Sequence, residues 1–404
     1  MTKHLFFRAP VLMLTEGDPW GAPKGGQTTF AKHLLTAFCS RLAVSSYCDD
    51  ETVPIGKWIY RPYEGQPIMF LNRGAVTRVN DKKPIIPGRI SAYFKARQFM
   101  PKIQQKDFSG LLIDSPEMLF AASTYKWPSV CFSFAGVNNP IANSRYPWAR
   151  VFGPLFERCH IASLNRIKPD LMIAAADQTA IEEFHNRTGH RLDKSRFYQF
   201  PTRVDTDLFH PMNTATVRKD LGIPLDFKVF VTTGRLCWIK GWDLLLEALV
   251  HIKKDHPSVV LIFVGDGEDH SNLELRAKAL GVIDNIRITG FIPQSEVVRY
   301  MNAADVCLVG SHREGWSVAM CEMIACGKTI VSTNVSGASD MVHDGVNGFV
   351  VAGRDSSVYA AAIKKAMHLE HADDHSLKLS EKYALNKLAN DLSKLWAPLR
   401  SLND

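Results

Sequence analysis

From Lys228 onward the chain repeats one pattern: a short apolar run, a glycine-containing loop, then a stretch with apolar residues at helical spacing. The runs lie at 229–233, 259–264, 286–289, 306–309 and 330–333. Short continuous apolar runs read as strands buried on both faces, and helical stretches between them must cover those faces. The alternation therefore demands a parallel sheet wrapped by helices, joined by right-handed crossovers. Open sheets of this kind bind ligands where the strands end, so the loops after the runs are where chemistry belongs.

Two of those loops carry unusual charge. After the run 306–309 comes Ser311-His312-Arg313-Glu314-Gly315-Trp316-Ser317-Val318-Ala319-Met320-Cys321-Glu322-Met323-Ile324-Ala325-Cys326-Gly327. Its helical part, 317–326, is apolar nearly all round and has one charge, Glu322; such a helix is normally buried. A buried unpaired charge costs several kcal/mol, as an order of magnitude, so Glu322 calls for a polar partner. Glu314 precedes the helix N-terminus, where free N–H groups favour anions. One acid at a helix mouth and one inside it suit a ligand with both hydroxyls and phosphates. The plain alternative is a capped helix with a wet face. After the run 229–233 comes Gly234-Arg235-Leu236-Cys237-Trp238-Ile239-Lys240-Gly241-Trp242, then a helix over 243–254. Arg235 and Lys240 thus stand between a strand end and a helix mouth, an arrangement suited to a diphosphate.

The first half is less regular. A strand is expected over 5–14, then a loop with Gly25 and Gly26, then a helix from Thr28 to Arg41. Further strands are expected at 111–114, 130–134 and 171–175, each ending in small or polar residues. No Walker motif or G-x-G-x-x-G is present, which leaves a P-loop nucleotidase and a dinucleotide fingerprint unsupported. Of the net charge of +7, residues 1–200 carry +10 and the remainder −3. Much of the excess lies at Arg73, Arg78, Lys82, Lys83, Arg89, Lys95, Arg97, Lys102 and Lys106, opposed by Asp81 alone. Ile90, Tyr93, Phe94, Phe99 and Met100 interleave with these charges, so a basic amphipathic helix over 90–100 reads as a segment for an anionic membrane surface. A solvated face is the alternative; nucleic acid is not expected, since no RRM, KH or zinc-finger pattern accompanies the charge. At 404 residues the chain has room for two domains. No window approaches 18 apolar residues, the N-terminus lacks a signal-peptide core, and the eight cysteines form no Cys-x-x-Cys pair. The expectation is a cytoplasmic protein without disulfides or zinc, peripheral at most on the inner face of the plasma membrane.

Glu314-x7-Glu322 together with Gly234-Arg235-x4-Lys240-Gly241 resembles the retaining glycosyltransferases of family GT4, and the resemblance runs in order over about 229–362. It implies an α/β protein of GT-B fold: two Rossmann-like parallel-sheet domains facing across a cleft, with a C-terminal helix crossing back. The implied divisions are 1–205 for acceptor binding, 206–380 for the nucleotide sugar, and 381–404 for the returning helix. Pro201-Thr202-Arg203-Val204-Asp205-Thr206-Asp207-Leu208-Phe209-His210-Pro211 is similar to the family's connector, with Arg203 where Gly is usual. Asp205-x-Asp207 also spells a metal pair of another glycosyltransferase fold; with no third ligand nearby that reading is discounted, and no metal is expected. By the resemblance, Glu314, Arg235 and Lys240 are catalytic. The nucleotide-sugar site comprises Gly25, Gly26, Gly234, Arg235, Lys240, Gly265, Ile292, Glu314, Gly315, Trp316, Ser317, Val318 and Glu322. Glu322 holds the ribose, and a UDP- or GDP-linked sugar serves as co-substrate in place of any cofactor. The family often has a His in the loop after the strand matching 130–134; Phe134-Ala135-Gly136 has none. The implied activity is sugar transfer with retention to a hydroxyl of a glycan or lipid-linked acceptor, as in cell-surface polysaccharide or lipopolysaccharide synthesis. A GT-B nucleotide-sugar epimerase lacks this Glu spacing, and a non-catalytic membrane-surface module would be expected to lose some of the four charged residues.

Overall fold

The structure, a computed structural model, describes residues 9–21, 25–75, 88–137 and 150–400. The chain divides into two compact units: Met1–Thr202 with Asn386–Asp404, and Arg203–Leu385.

Unit 1 is built on eight strands: β1 (Val11–Leu14), β2 (Leu42–Ser46), β3 (Trp58–Tyr63), β4 (Gln66–Asn72), β5 (Gly110–Ile113), β6 (Val130–Phe134), β7 (Leu171–Ala174) and β8 (Phe197–Gln199). Their order is β3-β4-β2-β1-β5-β6-β7-β8, parallel throughout except for the β3–β4 hairpin. β1, β2, β5, β6 and β7 are buried along their whole length, as both-faced packing requires. Unit 2 has six parallel strands: β9 (Lys228–Thr233), β10 (Val259–Val264), β11 (Ile286–Ile288), β12 (Val306–Val309), β13 (Ile330–Thr333) and β14 (Gly348–Val351). Their order is β11-β10-β9-β12-β13-β14. In both sheets the first strand is internal, with its successor on one side and a later strand on the other. The strand order thus reverses between β1 and β5 in unit 1 and between β9 and β12 in unit 2. At such switch points the following loops part to opposite faces and leave a crevice.

Several expectations change. Residues 5–8 of the first expected strand lie outside the described residues; β1 begins at Val11. The β3–β4 hairpin was not anticipated. It turns at Glu64 and Gly65, both at positive φ, as a two-residue hairpin turn requires, and Pro62 is tolerated because β3 is an edge strand. The helix read as one piece after 380 is broken: helix Ala372–Ser380 ends, Ala384 is extended and bridges to Val204, and a new helix runs Leu388–Leu395. Trp396 is then buried in unit 1, donating its indole N–H to Ser129 Oγ at 2.9 Å.

The basic stretch differs most from its expected role. The helix, Gly88–Ile103, buries Ala92, Ala96, Phe99, Met100 and Ile103. Its cations serve its own unit. Arg89 pairs with Glu117 at 2.8 Å, and Lys95 lies over the Tyr47 ring. Arg97 lies over Tyr125 and bonds Thr124, and Lys102 donates to the Gly56 carbonyl at 2.7 Å. Arg73 is 1% exposed and donates to the Thr15 carbonyl beneath β1; burial pushes its pKa down to about 10. Arg78, Lys82 and Lys83 lie outside the described residues. No helix among the described residues is long and apolar enough to cross a membrane.

Candidate functional site

Unit 2 gathers its charged residues at the β9–β12 switch point. Gly234 ends β9 in a loop that passes through Lys240 to Gly241 and into the helix Trp242–Lys253. Gly241 has φ +64°, and a Cβ there would stand 1.8 Å from the Gly310 carbonyl oxygen. Only glycine lets the β9 loop lie backbone to backbone on the loop after β12. The His312 N–H donates to the Ile239 carbonyl at 2.8 Å, and Arg354 donates to the Gly310 carbonyl at 2.6 Å and to Asp243 at 3.0 Å. Gly265, after β10, packs equally close: a Cβ would meet the Gly234 oxygen at 2.1 Å. These contacts fix three strand-end loops against one another.

On this platform Lys240 Nζ meets Glu314 Oε1 at 2.7 Å, and Ser311 Oγ donates to the same oxygen at 2.6 Å. Both bonds use Oε1, which leaves Oε2 for a ligand hydroxyl. Arg235 is looser, exposed, and 3.9 Å from Glu268. Ser317 caps the helix Val318–Ala325, accepting from the Met320 N–H. That helix buries Met320, Cys321, Met323, Ile324 and Ala325 and leaves the face of Val318, Ala319 and Glu322 partly open. Glu322 still meets solvent at its edge, yet the surrounding protein is dense enough that burial pushes its carboxyl up to about 8. It has no hydrogen bond among the described residues, so its demand for a partner is unmet. Trp316 is instead a packing residue: its ring lies against Gly337 and Tyr383, and its indole N–H points to Cys321 Sγ at 3.1 Å. Gly315 lies in the same loop, and Ile292 is partly exposed in the loop after β11. Asp205 caps a turn, accepting from the Asp207 and Leu208 N–H groups. Arg203 is buried and donates to the Lys382 carbonyl at 2.7 Å.

Gly25 and Gly26 belong to unit 1. Gly25 caps the helix Gly26–Phe38 at φ +120°, exposed and with nothing within 4 Å of a would-be Cβ. The β1–β5 switch point beside it holds a cavity of about 100 Å³, which sequence reasoning missed. Glu16 follows β1, Asp114 follows β5, Glu117 opens the next helix, and all three line it. Burial, with the Glu117 charge second, pushes Glu16 up to about 8; burial also lifts Asp114 to about 6. Glu16 Oε1, Glu117 Oε2 and both oxygens of Asp114 are buried without a hydrogen-bond partner. Thr15 and Gln27 sit close enough to Asp114 to ease its charge but not in good bonding geometry; the Gln27 amide donates to the Asp114 main-chain carbonyl. The loop after β6 carries no histidine, and the nearby histidine belongs to another element. His160, on the helix Gly153–Ile167, lies 5.5 Å from the Phe132 ring and 5.8 Å from the Phe134 ring and lines the same cavity. Burial pushes it down to about 4, so it is neutral.

Residues 213–384 match the family described as Glycosyl transferases group 1. The D-inositol 3-phosphate glycosyltransferase of Geodermatophilus obscurus is 34% identical over 214 residues, 50% of this chain and 48% of that protein. The chain spans about half the length of the curated relatives it matches. Among solved structures, sucrose-phosphate synthase from Thermosynechococcus elongatus superposes with a TM-score of 0.80 at 18% identity, covering 97% of this chain and 99% of that one. HepE of Anabaena, in complex with UDP, has a TM-score of 0.71 at 18% identity over 95% of this chain and 100% of its own. The part of the chain within unit 2 thus matches the glycosyl transferases group 1 family, and the fold is GT-B.

Proposed function

We propose that the chain transfers a sugar from a nucleotide diphosphate, UDP or GDP, to a hydroxyl of a glycan or lipid-linked acceptor, with retention and without a metal. The observation that carries this is the Lys240–Glu314 pair at the β9–β12 switch point, held on glycine-locked loops, with Arg235 in one of those loops and Glu322 on the helix that follows the other. The departing diphosphate gains negative charge as the glycosidic bond breaks, and Arg235, Lys240 and the N–H groups at the helix mouths answer it with fixed positive charge. Lys240 is held beforehand by Glu314, so the cation is in place before the phosphate arrives. Glu314 orients the sugar's hydroxyls and favours the cationic anomeric centre. The leaving phosphate oxygen takes the acceptor proton, and the ribose hydroxyls satisfy Glu322.

The relatives named for inositol 3-phosphate make a polyol acceptor a natural choice to test, although the family match lies in unit 2 alone. A role in cell-surface polysaccharide or lipopolysaccharide synthesis, in the cytoplasm, agrees with the likeness to WaaG, a glycosyltransferase involved in lipopolysaccharide biosynthesis. Contact with an anionic membrane through 73–106 has narrower support, because Arg73, Arg89, Lys95, Arg97 and Lys102 are engaged; among the described residues, exposed Ile90 and Phe94 with Lys106 are what remains for it. The test is donor-dependent release of free UDP or GDP in the presence of a hydroxyl acceptor, with and without excess EDTA. Turnover that survives EDTA is expected. Activity abolished by EDTA and restored by Mn2+ would overturn the metal-free reading.

A further inference from the structure

The unit 1 cavity gathers four carboxyl groups, Glu16, Asp114, Glu117 and Glu157, in one lining. Asp114 and Glu117 are at most 4% exposed, and with Glu16 they direct four partnerless oxygens to one space. Buried acceptors without donors are rare and costly, so each asks for a hydrogen from whatever enters. The guanidiniums at the mouth are committed: Arg89 to Glu117 at 2.8 Å, and Arg187 to Glu157 at 2.7 Å and to the Val137 carbonyl. Four carboxyl groups therefore face two engaged cations, in a half of the chain whose overall charge is positive. The spacing does not form a metal-holding group of three or more among the described residues. The same lining includes Phe132, Phe134, Phe156 and Phe184, with the neutral His160 against Phe132, Phe134 and Phe156. Acids and aromatic rings in one lining suit a molecule with hydroxyls along one edge and C–H groups on its face. They suit no group that brings acceptors and negative charge.

We propose that this cavity binds the hydroxylated edge of an uncharged sugar or cyclitol ring and rejects the phosphorylated form of the same ring. The proposal rests on the transferase reading, for which it names the acceptor class. Hydroxyls donate to Asp114, Glu117 and Glu16, and the ring's C–H face lies on the phenylalanines. The cavity's volume of about 100 Å³ is well above the ~15 Å³ that one water needs, and it fits one ring edge better than a long glycan.

The experiment is ligand-observed NMR titration of the full chain, with UDP or GDP present. Its probes are glucose, galactose, mannose and myo-inositol, each beside its monophosphate, plus glucosamine. At least one uncharged probe should bind, with its monophosphate about tenfold weaker or worse. Asp114→Asn and Glu117→Gln should each weaken that probe about tenfold, the usual scale for a hydrogen bond to a charged group. Nucleotide affinity should not change. A monophosphate that binds as tightly as its parent overturns the proposal, as does silence from every probe or indifference to both substitutions. Glucosamine binding more than tenfold tighter than glucose overturns its uncharged character. The preference for the uncharged form is measured on the unaltered protein, so it stands even if a variant fails to fold. Binding with these preferences but no sugar transfer from any donor counts against the transferase reading alone. Efficient transfer to phosphorylated acceptors leaves that reading intact and removes this one.

Discussion

The two units place a crevice at the same topological position and furnish it with opposite chemistry. At the β9–β12 switch point the loops are glycine-rich, backbone packs on backbone, and Lys240 and Glu314 are already joined. At the β1–β5 switch point the loops bring in side chains instead, three acids with oxygens that nothing satisfies. A ligand that accepts hydrogen bonds suits the first and one that donates them suits the second. The shared architecture supplies the location, and the residues just past each strand decide what is taken there. The difference also bears on stability. The loops of the unit 2 platform are held by their own contacts, with the Glu322 carboxyl as the exception, whereas the unit 1 cavity carries a buried group of acids that only a ligand or a proton relieves.

The sharpest way to break this contrast is to remove the charges in unit 2. Lys240→Ala should lower kcat by about 10²–10³-fold, the usual loss when one fixed electrostatic donor disappears. Arg235→Ala, starting from a looser and more exposed side chain, should cost less. Glu314→Gln keeps the shape and removes the charge, so kcat should fall by at least ~10²-fold with nucleotide affinity about normal. Steady-state rates beside UDP or GDP calorimetry would decide. A Glu314→Gln protein that loses nucleotide affinity and keeps its turnover reverses the assigned roles.

A second pair of substitutions compares the two loops as pieces of backbone. Gly241→Ala forces a Cβ into the Gly310 carbonyl and against Arg354, so one loop must move. Strain of about 1–3 kcal/mol is the least to expect, with nucleotide affinity falling as the loops part. Gly25→Ala also sits at positive φ but meets nothing, so it bears the backbone term alone. Urea denaturation of both should show Gly241→Ala as clearly the worse. Equal losses would mean that the unit 2 loops are not locked as described.

These contrasts also explain what could be read from the chain beforehand. The strands of unit 2 were legible because β9, β10 and β12 carry continuous apolar runs with glycine just beyond the strand. Arg235, Lys240, Glu314 and Glu322 stood out as charges at strand ends or in an apolar helix. Arg354 did not: it reaches Gly310 and Asp243 from beyond β14, and only the folded sheet brings them together. The same holds for Glu16, Asp114 and Glu117, spread over a hundred residues with no common spacing. The basic stretch misled because composition does not say which way a side chain points. Lys95 and Arg97 cover aromatic rings of their own unit. The β3–β4 hairpin did leave a signal, Glu64-Gly65 between two runs rich in aromatic and branched residues, a two-residue turn that could have been recognised.

Glu322 tests whether unit 2 has an unmet demand of its own. Without a ligand its carboxyl is pushed up to about 8 by burial, so it holds a proton at pH 7. Ribose hydroxyls donating to it would favour the charged form, lower its pKa and release the proton on binding. Affinity for UDP or GDP should therefore rise with pH between about 6 and 8, by at most about tenfold per unit, and level off above 8. Glu322→Gln should bind about tenfold more weakly at pH 8 and lose this slope. Calorimetry across the range on both proteins cancels the titration of the nucleotide itself. A slope shared by both, or one that falls in the unaltered protein, would show that Glu322 does not accept from the ribose.

The smallest expected effect falls on unit 1 and concerns stability alone. Glu16 is raised to about 8, chiefly by burial and then by Glu117, against an ordinary glutamate value of 4.5. Between those two values the folded protein holds a proton that the unfolded chain has released. Stability must therefore fall as pH rises through that window and flatten above 8. Glu16→Gln removes the titration and keeps the shape. At pH 5, where Glu16 is protonated when folded, the substitution should leave Tm nearly unchanged. At pH 8.5 it should raise Tm by a few degrees, since each kcal/mol is worth about 2–4 °C in a unit of this size. Nucleotide affinity in unit 2 should not follow. Thermal denaturation of both proteins at the two pH values is sufficient. A gain of the same size at both would trace the effect to packing and not to charge, and no gain at pH 8.5 would mean that the cavity's acids are better satisfied than their missing hydrogen bonds indicate. A gain at high pH combined with weaker binding of an uncharged polyol would show that this unit keeps a destabilising acid because its ligand requires it.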